Sequence, residues 1–456
     1  MAIWNTIYRG NLKEGLNILA EHYQQERIIA EEKLQSISSK RIYQLFSEQT
    51  GTIKAQHLST DWRVFDLPDS LSNFLLGGKD PSIEEVTSNK KVALEDDFII
   101  SRLRYYLKET AVIPVSDKKI ALSTEFLVYR SKGNVSAHIL LPFALSSYVQ
   151  AILKWAQTGN AHPRFSSSTF ASISIPDIIL NSSNYFKDLI SRANDKIKQS
   201  DYLYAQASQL LEQELGFGKE NLIRQNRYLT NLSTCVLQKL IDSKFFQPKY
   251  SQIINHLNSN FKLIELKKLA KIEYGYMPMQ DYEVDPKKGI PLIRVTNITN
   301  NLEVKIDDLK YVPNWVKISR NKFVEKDDIL MVQCGDTTGK VGYIYEDIEN
   351  YLFPSFCFSI KVFSSEIDSL FLAALLKTEI MQTLFDQTVM INTVRPNTTK
   401  PRFEKMFIPI LRSDFQNEVS TLFIKSYELR KESNYLLDQA KTEVETLIEN
   451  ATITSS

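Results

Sequence analysis

Ser200-Asp201-Tyr202-Leu203-Tyr204-Ala205-Gln206-Ala207 returns 233 residues later as Ser433-Asn434-Tyr435-Leu436-Leu437-Asp438-Gln439-Ala440, with five of the eight residues identical. The same offset links His162-Pro163 through Ile173-Ser174-Ile175-Pro176 to Arg395-Pro396 through Met406-Phe407-Ile408-Pro409, and it places Phe170 opposite Phe403. Two blocks in one register mark an internal repeat, and a repeat decides the architecture before any single element does. Further upstream, Glu95-Asp96-Asp97-Phe98-Ile99-Ile100 pairs with Lys326-Asp327-Asp328-Ile329-Leu330 at an offset of 231, and Phe126-Leu127-Val128 pairs with Phe358-Ser359-Ile360 at 232. A drift of one residue per block is what short loop insertions leave behind. Before Lys90 nothing aligns, so each copy has a variable front and a better-matched back.

The two back ends, residues 184–215 and 415–448, lack Gly and Pro and read as long helices. On the second, Val419, Leu422, Leu429, Leu436, Ala440, Val444 and Leu447 fall close to a 3.5-residue repeat or its multiples, a coiled-coil seam. Leu189, Ala193, Ile197, Leu203, Ala207 and Leu211 form a looser stripe on the first, which Gly216 and Gly218 are expected to end. Short apolar runs punctuated by turn residues read as strands at Ile99-Ile100, residues 119–122 and 126–129, Ile293-Arg294-Val295, and residues 329–332, 341–344 and 356–362. A shorter apolar helix follows the strands in each copy, at 141–155 and 370–385. The expected fold is α+β, with two globular domains separated and connected by long antiparallel coiled-coil helices in a pseudo-twofold repeat. The expected boundaries are a helical segment at 1–50, a first domain at 51–182 and a central helical spacer at 183–257. A second domain at 258–412 and a C-terminal helical spacer at 413–456 complete the chain.

Composition excludes several function classes. The 456 residues are 43% hydrophobic and 24% charged, as in ordinary globular domains, so disorder is not the theme. No apolar run approaches eighteen residues, so no membrane span is expected, and the first twenty residues lack the apolar core of a secretory signal. Three cysteines with no CxxC pair indicate neither a disulfide framework nor a zinc site, and the chain reads as cytoplasmic. The net charge of +1 gives no global argument for nucleic acid; any such argument is local.

The catalytic motifs are deficient. Gly335-Asp336-Thr337-Thr338-Gly339-Lys340 has three residues between its glycines and Val341 after the lysine, so it fails as a phosphate-binding loop and reads as a turn between two strands. The acidic groups at 95–97 and 327–328 sit before apolar strands without nuclease spacing and read as solvated turns. What remains is cations and amides suited to phosphates and base edges: Lys90, Lys91, Arg102 and Arg104 in the first copy, and Arg294, Asn297, Lys317, Arg320, Lys322 and Lys340 in the second. Arg164, Arg395, Asn397 and Lys400 lie in the matched proline-containing loops.

Asp97 to Arg104, Leu122 to Val128 and Gly159 to Pro176 resemble the target-recognition domains of specificity subunits in type I restriction-modification systems. Phe261 to Leu266 with Gly275, Asp328-Ile329-Leu330, Gly335, Gly339 and Arg395 to Pro409 are similar in the second copy, and so is the lead-in Lys244 to Tyr250. The resemblance covers roughly residues 50–450. It implies a noncatalytic subunit of a host-defence complex that reads a bipartite double-stranded DNA target and scaffolds methyltransferase subunits. A restriction and translocase subunit is a further partner it allows. The same resemblance gives this chain no cofactor of its own and places S-adenosylmethionine, ATP and Mg on the partners. A helix of about 32 residues spans roughly 48 Å, somewhat more than one turn of B-DNA at about 34 Å. The competing readings are a self-contained DNA methyltransferase or nuclease and a coiled-coil adaptor without DNA readout.

Overall fold

The computed structural model describes residues 20–82, 84–133, 135–159, 161–216, 227–233, 242–390 and 395–455. Its contacts divide the chain into two units: one takes residues up to Gln199 together with those from Leu429 onward, and the other takes Ser200–Glu428.

The first unit runs α1 (Gln25–Ser36), β1 (Lys40–Arg41), α2 (Ile42–Leu45), β2 (Phe46–Glu48), β3 (Thr52–Ile53), β4 (Trp62–Phe65), β5 (Lys90–Ala93), β6 (Phe98–Ser101), β7 (Thr110–Val112), β8 (Lys119–Leu122) and β9 (Phe126–Ser131). Then come α3 (Leu140–Leu145), α4 (Ser147–Lys154), α5 (Ser167–Ala171), β10 (Ser174–Ile175), α6 (Asp177–Asn181) and the first part of α7 (Ser183–Leu215). Its central sheet has the order β2-β9-β6-β7, a second sheet has the order β3-β5-β8-β4, and β1 pairs with β10. The first three residues of β6 are apolar because both its faces are covered: Phe98 and Ile100 enter the core shared with the helices, and Ile99 enters the core between the sheets.

The second unit repeats this order. After the rest of α7 come α8 (Pro248–Asn260), β11 (Lys262–Glu265), β12 (Ala270–Tyr274), β13 (Gly289–Leu292), β14 (Lys310–Pro313), β15 (Phe323–Val324), β16 (Ile329–Val332), β17 (Val341–Tyr343), β18 (Tyr351–Leu352) and β19 (Cys357–Val362). It ends with α9 (Ser369–Lys377), α10 (Glu379–Thr388), α11 (Lys400–Phe403), β20 (Phe407–Ile410) and the start of α12 (Ser413–Ser455). The central sheet is β12-β19-β16-β17, and β11 pairs with β20. On β16, Ile329 and Met331 face the helices while Leu330 and Val332 face the other sheet, the alternation seen on β6. Each second sheet shares a three-strand core, in which β8 lies parallel to β4 and antiparallel to β5, as β18 does to β13 and β15. The fourth strand is added at opposite edges: β3 beside β5 in one unit, β14 beside β13 in the other.

The long helices share their seams by halves. In the second unit the Ser200 hydroxyl donates to the Ser426 carbonyl at 2.6 Å; in the first, Ser433 donates to the Ala193 carbonyl at 2.7 Å. These are one contact made twice with the partners exchanged, since Ser433 repeats Ser200 and Ser426 repeats Ala193. Pairing of Ala193 with Ser433 and of Lys196 with Glu432 in one unit, and of Ser200 with Ser426 and Tyr204 with Phe423 in the other, runs antiparallel. The seam differs from the apolar stripe expected of it: its middle is made of buried Ser426, Arg430 and Ser433. Small serines let the backbones approach, and each hydroxyl gains a carbonyl on the facing helix.

Other expectations need correction. The segment 1–50 is helical at α1, but residues 40–41 and 46–48 are strands, and residues 1–19 lie outside the described residues. Strands of two or three residues show no alternation; distant partners on β9 and β10 decide them. That pairing also aligns what sequence could not. Phe46 faces Ser131 as Ala270 faces Val362, and the Ile42 N–H donates to the Ile173 carbonyl as the Leu266 N–H does to the Met406 carbonyl, which sets Ile42 and Phe46 against Leu266 and Ala270 at an offset of 224. Pairing of Phe98 with Tyr129 and of Ile329 with Ile360 fixes the β9–β19 offset at 231, not 232. The strand expected at 293–295 lies at β13 instead, because the Asn297 carboxamide accepts the Arg294 N–H at 2.8 Å and turns the chain into a short 3-10 helix. Each apolar helix is broken in two, at Ser146 and Thr378, whose hydroxyls accept from Val149 and Met381 as N-caps. Gly216, at φ 63°, ends α7, while Gly218 and much of the expected bridge at 219–257 lie outside the described residues.

Candidate nucleic-acid interface

The site grows from the end of β6 and its equivalent, β16. In the first unit the Arg102 N–H donates to the Glu125 carbonyl (3.2 Å), the Phe165 N–H to the Arg102 carbonyl (3.1 Å) and the Arg104 N–H to the Pro163 carbonyl (3.2 Å), while Leu103 bridges Arg164. In the second unit the Gln333 N–H donates to Phe356 (2.8 Å), Thr398 to Gln333 (3.0 Å) and Gly335 to Pro396 (3.0 Å), while Cys334 bridges Asn397. The proline-containing loops are therefore tied to the same strand end by the same backbone bonds. The hairpin that follows has a left-handed residue at each end: Arg104 and Lys108 at φ 51°, Gly335 and Gly339 at φ 103° and 96°. Gly335 to Lys340 thus lies in the β16–β17 turn.

On this shared frame the side chains differ. Glu125 receives Arg102 Nε at 2.9 Å and Arg164 Nη2 at 2.8 Å. The Arg164 guanidinium, with Arg102 behind it, holds the Glu125 carboxyl at about 2 against the upward push of burial. Lys91 joins them through the Phe126 carbonyl (2.8 Å), and burial lowers its pKa. In the second unit Gln333 donates to the Ser355 carbonyl (3.0 Å), Phe356 is 41% exposed, and Asn397 occupies the position of Arg164. Lys322, the equivalent of Lys91, donates to the Tyr274 carbonyl (2.7 Å), and the Lys400 N–H donates to the Tyr274 hydroxyl (2.9 Å).

The structure thus gathers Lys91, Arg102, Arg104 and Arg164 in one unit and Lys322, Asn397 and Lys400 in the other. Lys90 is not among them: it is buried on Asp66 at 2.8 Å. Arg294 is tied to Asp308 and Asn297 is buried under the Asp307 carbonyl, so both serve their own loop. Arg320 pairs with Glu325 at 3.1 Å, Lys317 and Arg395 are exposed, and half-buried Lys340 has its pKa lowered by burial. Glu95, Asp96 and Asp327 form exposed turns as expected, but the last aspartate of each group does not. Asp97 and Asp328 are 1% and 4% exposed, each accepts the N–H three residues back at 2.8 Å, and they pair with Arg130 (2.7 Å) and Lys361 (3.2 Å). Burial raises Asp328 to about 6. Sequence reasoning missed Gln333 and Phe356, although the 231 offset applied to Arg102 and Glu125 lands on them.

Residues 258–423 match the family described as the type I restriction modification DNA specificity domain. The chain carries a type I DNA specificity domain. Because the first unit repeats its strand order, the specificity fold occurs twice. Residues 258–423 accordingly carry a DNA sequence-specificity domain of a type I restriction-modification system, a domain family that is noncatalytic, with catalysis in partner subunits. Among solved structures, it is similar to the type I restriction-modification S subunit from M. genitalium (11% identity, 90% of this chain and 95% of that chain, TM-score 0.43). It is also similar to the HsdS subunit from Thermoanaerobacter tengcongensis (14%, 90% and 95%, TM-score 0.29). Likenesses this distant add nothing beyond the family match. No curated protein matches the chain. Among the described residues, no helix is long and apolar enough to cross a membrane, and no group of His, Cys, Asp and Glu is placed to hold a metal.

Proposed function

We propose that each unit of this specificity subunit reads one half of a split double-stranded DNA target and that the long helices dock methyltransferase subunits. The observation that carries this reading is the duplicated frame: two strand ends with the same backbone bonds and different side chains. Lys91, Arg102, Arg104 and Arg164 in one unit, and Lys322, Arg395, Asn397 and Lys400 in the other, supply the phosphate and base contacts. Lys317, Arg320 and Lys340 extend the second set; Arg294 and Asn297 shape their loop, and Lys90 takes no part. Tyr202 and Tyr435, matching residues on the two long helices, are 68% and 69% exposed and offer the same aromatic group to two copies of one partner. S-adenosylmethionine, ATP and Mg belong to the partner subunits, the assembly leaves room for a restriction and translocase subunit, and the complex works in the cytoplasm.

The test is an exchange of residues 258–412 for the corresponding segment of another specificity subunit, followed by mapping of modified adenines in cells. One half of the modified site should change while the other half persists. Unchanged modification would favour the adaptor reading, and tight binding of labelled S-adenosylmethionine by the purified chain would favour a self-contained enzyme.

A further inference from the structure

The shared frame carries two different chemistries at matched positions. Arg102 pairs with Gln333, Arg164 with Asn397, and Glu125 with Phe356; in each pair the main chain is held by the same bonds, so the side chain alone differs. Arg102 spends only Nε on Glu125, and its Nη1 and Nη2 make no hydrogen bond among the described residues; the side chain is 40% exposed. A guanidinium steadied by a carboxylate and left with its terminal fork matches the O6 and N7 acceptors of guanine. In the other unit a carboxamide at each of the two positions matches the N6 donor and N7 acceptor of adenine, and the exposed Phe356 ring matches the methyl group of the paired thymine.

We infer that this frame is the base-reading surface of each unit, and that the first unit reads a G·C pair through Arg102, with Arg164 committed to Glu125 and the His162 carbonyl as a positioning residue, while the second reads an A·T pair through Gln333, Asn397 and Phe356. Glu125 is a positioning residue that fixes both guanidinium planes. The inference rests on the split-target reading and assigns base classes to it.

The experiment selects bound duplexes from a randomised library with the full chain in complex with its methyltransferase subunits. It compares wild type, Arg102→Lys, Arg102→Gln with Arg164→Asn, and Gln333→Arg with Asn397→Arg. Arg102→Lys keeps the charge and removes the fork, and its folding is checked by thermal melting. Preference for guanine at one half-site should fall roughly 5- to 150-fold in the first two variants, the range of a lost bidentate pair, with the other half-site unchanged. The last variant should weaken preference for adenine in the other half-site alone. An unchanged consensus, or a uniform loss across all bases, would overturn the assignment. Absence of any sequence preference in the wild-type complex would instead bring down the split-target reading beneath it.

Discussion

Glu125 shows how one carboxylate organises a recognition surface, and its titration tests the arrangement. Its folded pKa lies near 2, below the ordinary 4.5, chiefly because Arg164 hydrogen-bonds its charged form. A depressed carboxyl binds fewer protons in the folded state than in the unfolded one. Its stabilising contribution is therefore complete above about pH 5 and is lost as pH falls through 4.5 towards 2. Glu125→Gln should melt below wild type at pH 7, and the gap should narrow as the buffer falls from pH 5 to pH 3; a gap independent of pH would show that the arginines do not depend on this charge. At this scale the sequence was partly legible. Arg102 and Arg164 stand out as cations near matched prolines, but Lys90 looks identical on paper and is buried by an aspartate 24 residues earlier, a pairing no local pattern encodes. Gln333 and Phe356 are chemically unlike the residues they replace, so only positional equivalence reveals them.

The long helices were legible in extent and less so in packing. Absence of Gly and Pro over 33 and 43 residues announces helices, yet periodicity counts apolar residues and so passed over the serines at the seam's centre. Ser200 and Ser433 are fully buried, and each hydroxyl closes on a carbonyl of the facing helix. The space each occupies is set by the backbone approach, so a larger side chain must push the helices apart. Ser200→Leu and Ser433→Leu should each cost about 1–3 kcal/mol through overpacking, read as a lower urea midpoint. Because the contacts are equivalent, the two variants should cost similar amounts; a large cost from one alone would show that the helix halves are packed differently. The short strands lie at the opposite extreme. Residues 40–41 and 46–48 take their conformation from β10 and β9, more than 80 residues away, and their own composition carries little of the signal.

For the whole molecule, a net charge of +1 over 456 residues sets a limit on what the chain does alone. A protein that neutralises several phosphates loses affinity with salt at a slope of about 0.9 per phosphate, and a nearly neutral chain has little excess positive charge for that purpose. Several of the arginines and lysines at the frame are held by carboxylates or carbonyls, which suits readout better than bulk attraction. The free chain should therefore bind DNA weakly and with a shallow salt dependence, and the complex with methyltransferase subunits should bind tightly with a steep one. Within that complex, Lys91→Ala and Lys322→Ala, at equivalent positions, should each flatten the slope of log affinity against log salt by about 1 and leave the base consensus unchanged. A changed consensus with an unchanged slope would move these two lysines from phosphate contacts to base contacts. Since the pair is equivalent by position, the same result is required of both before either role is assigned to the repeat as a whole.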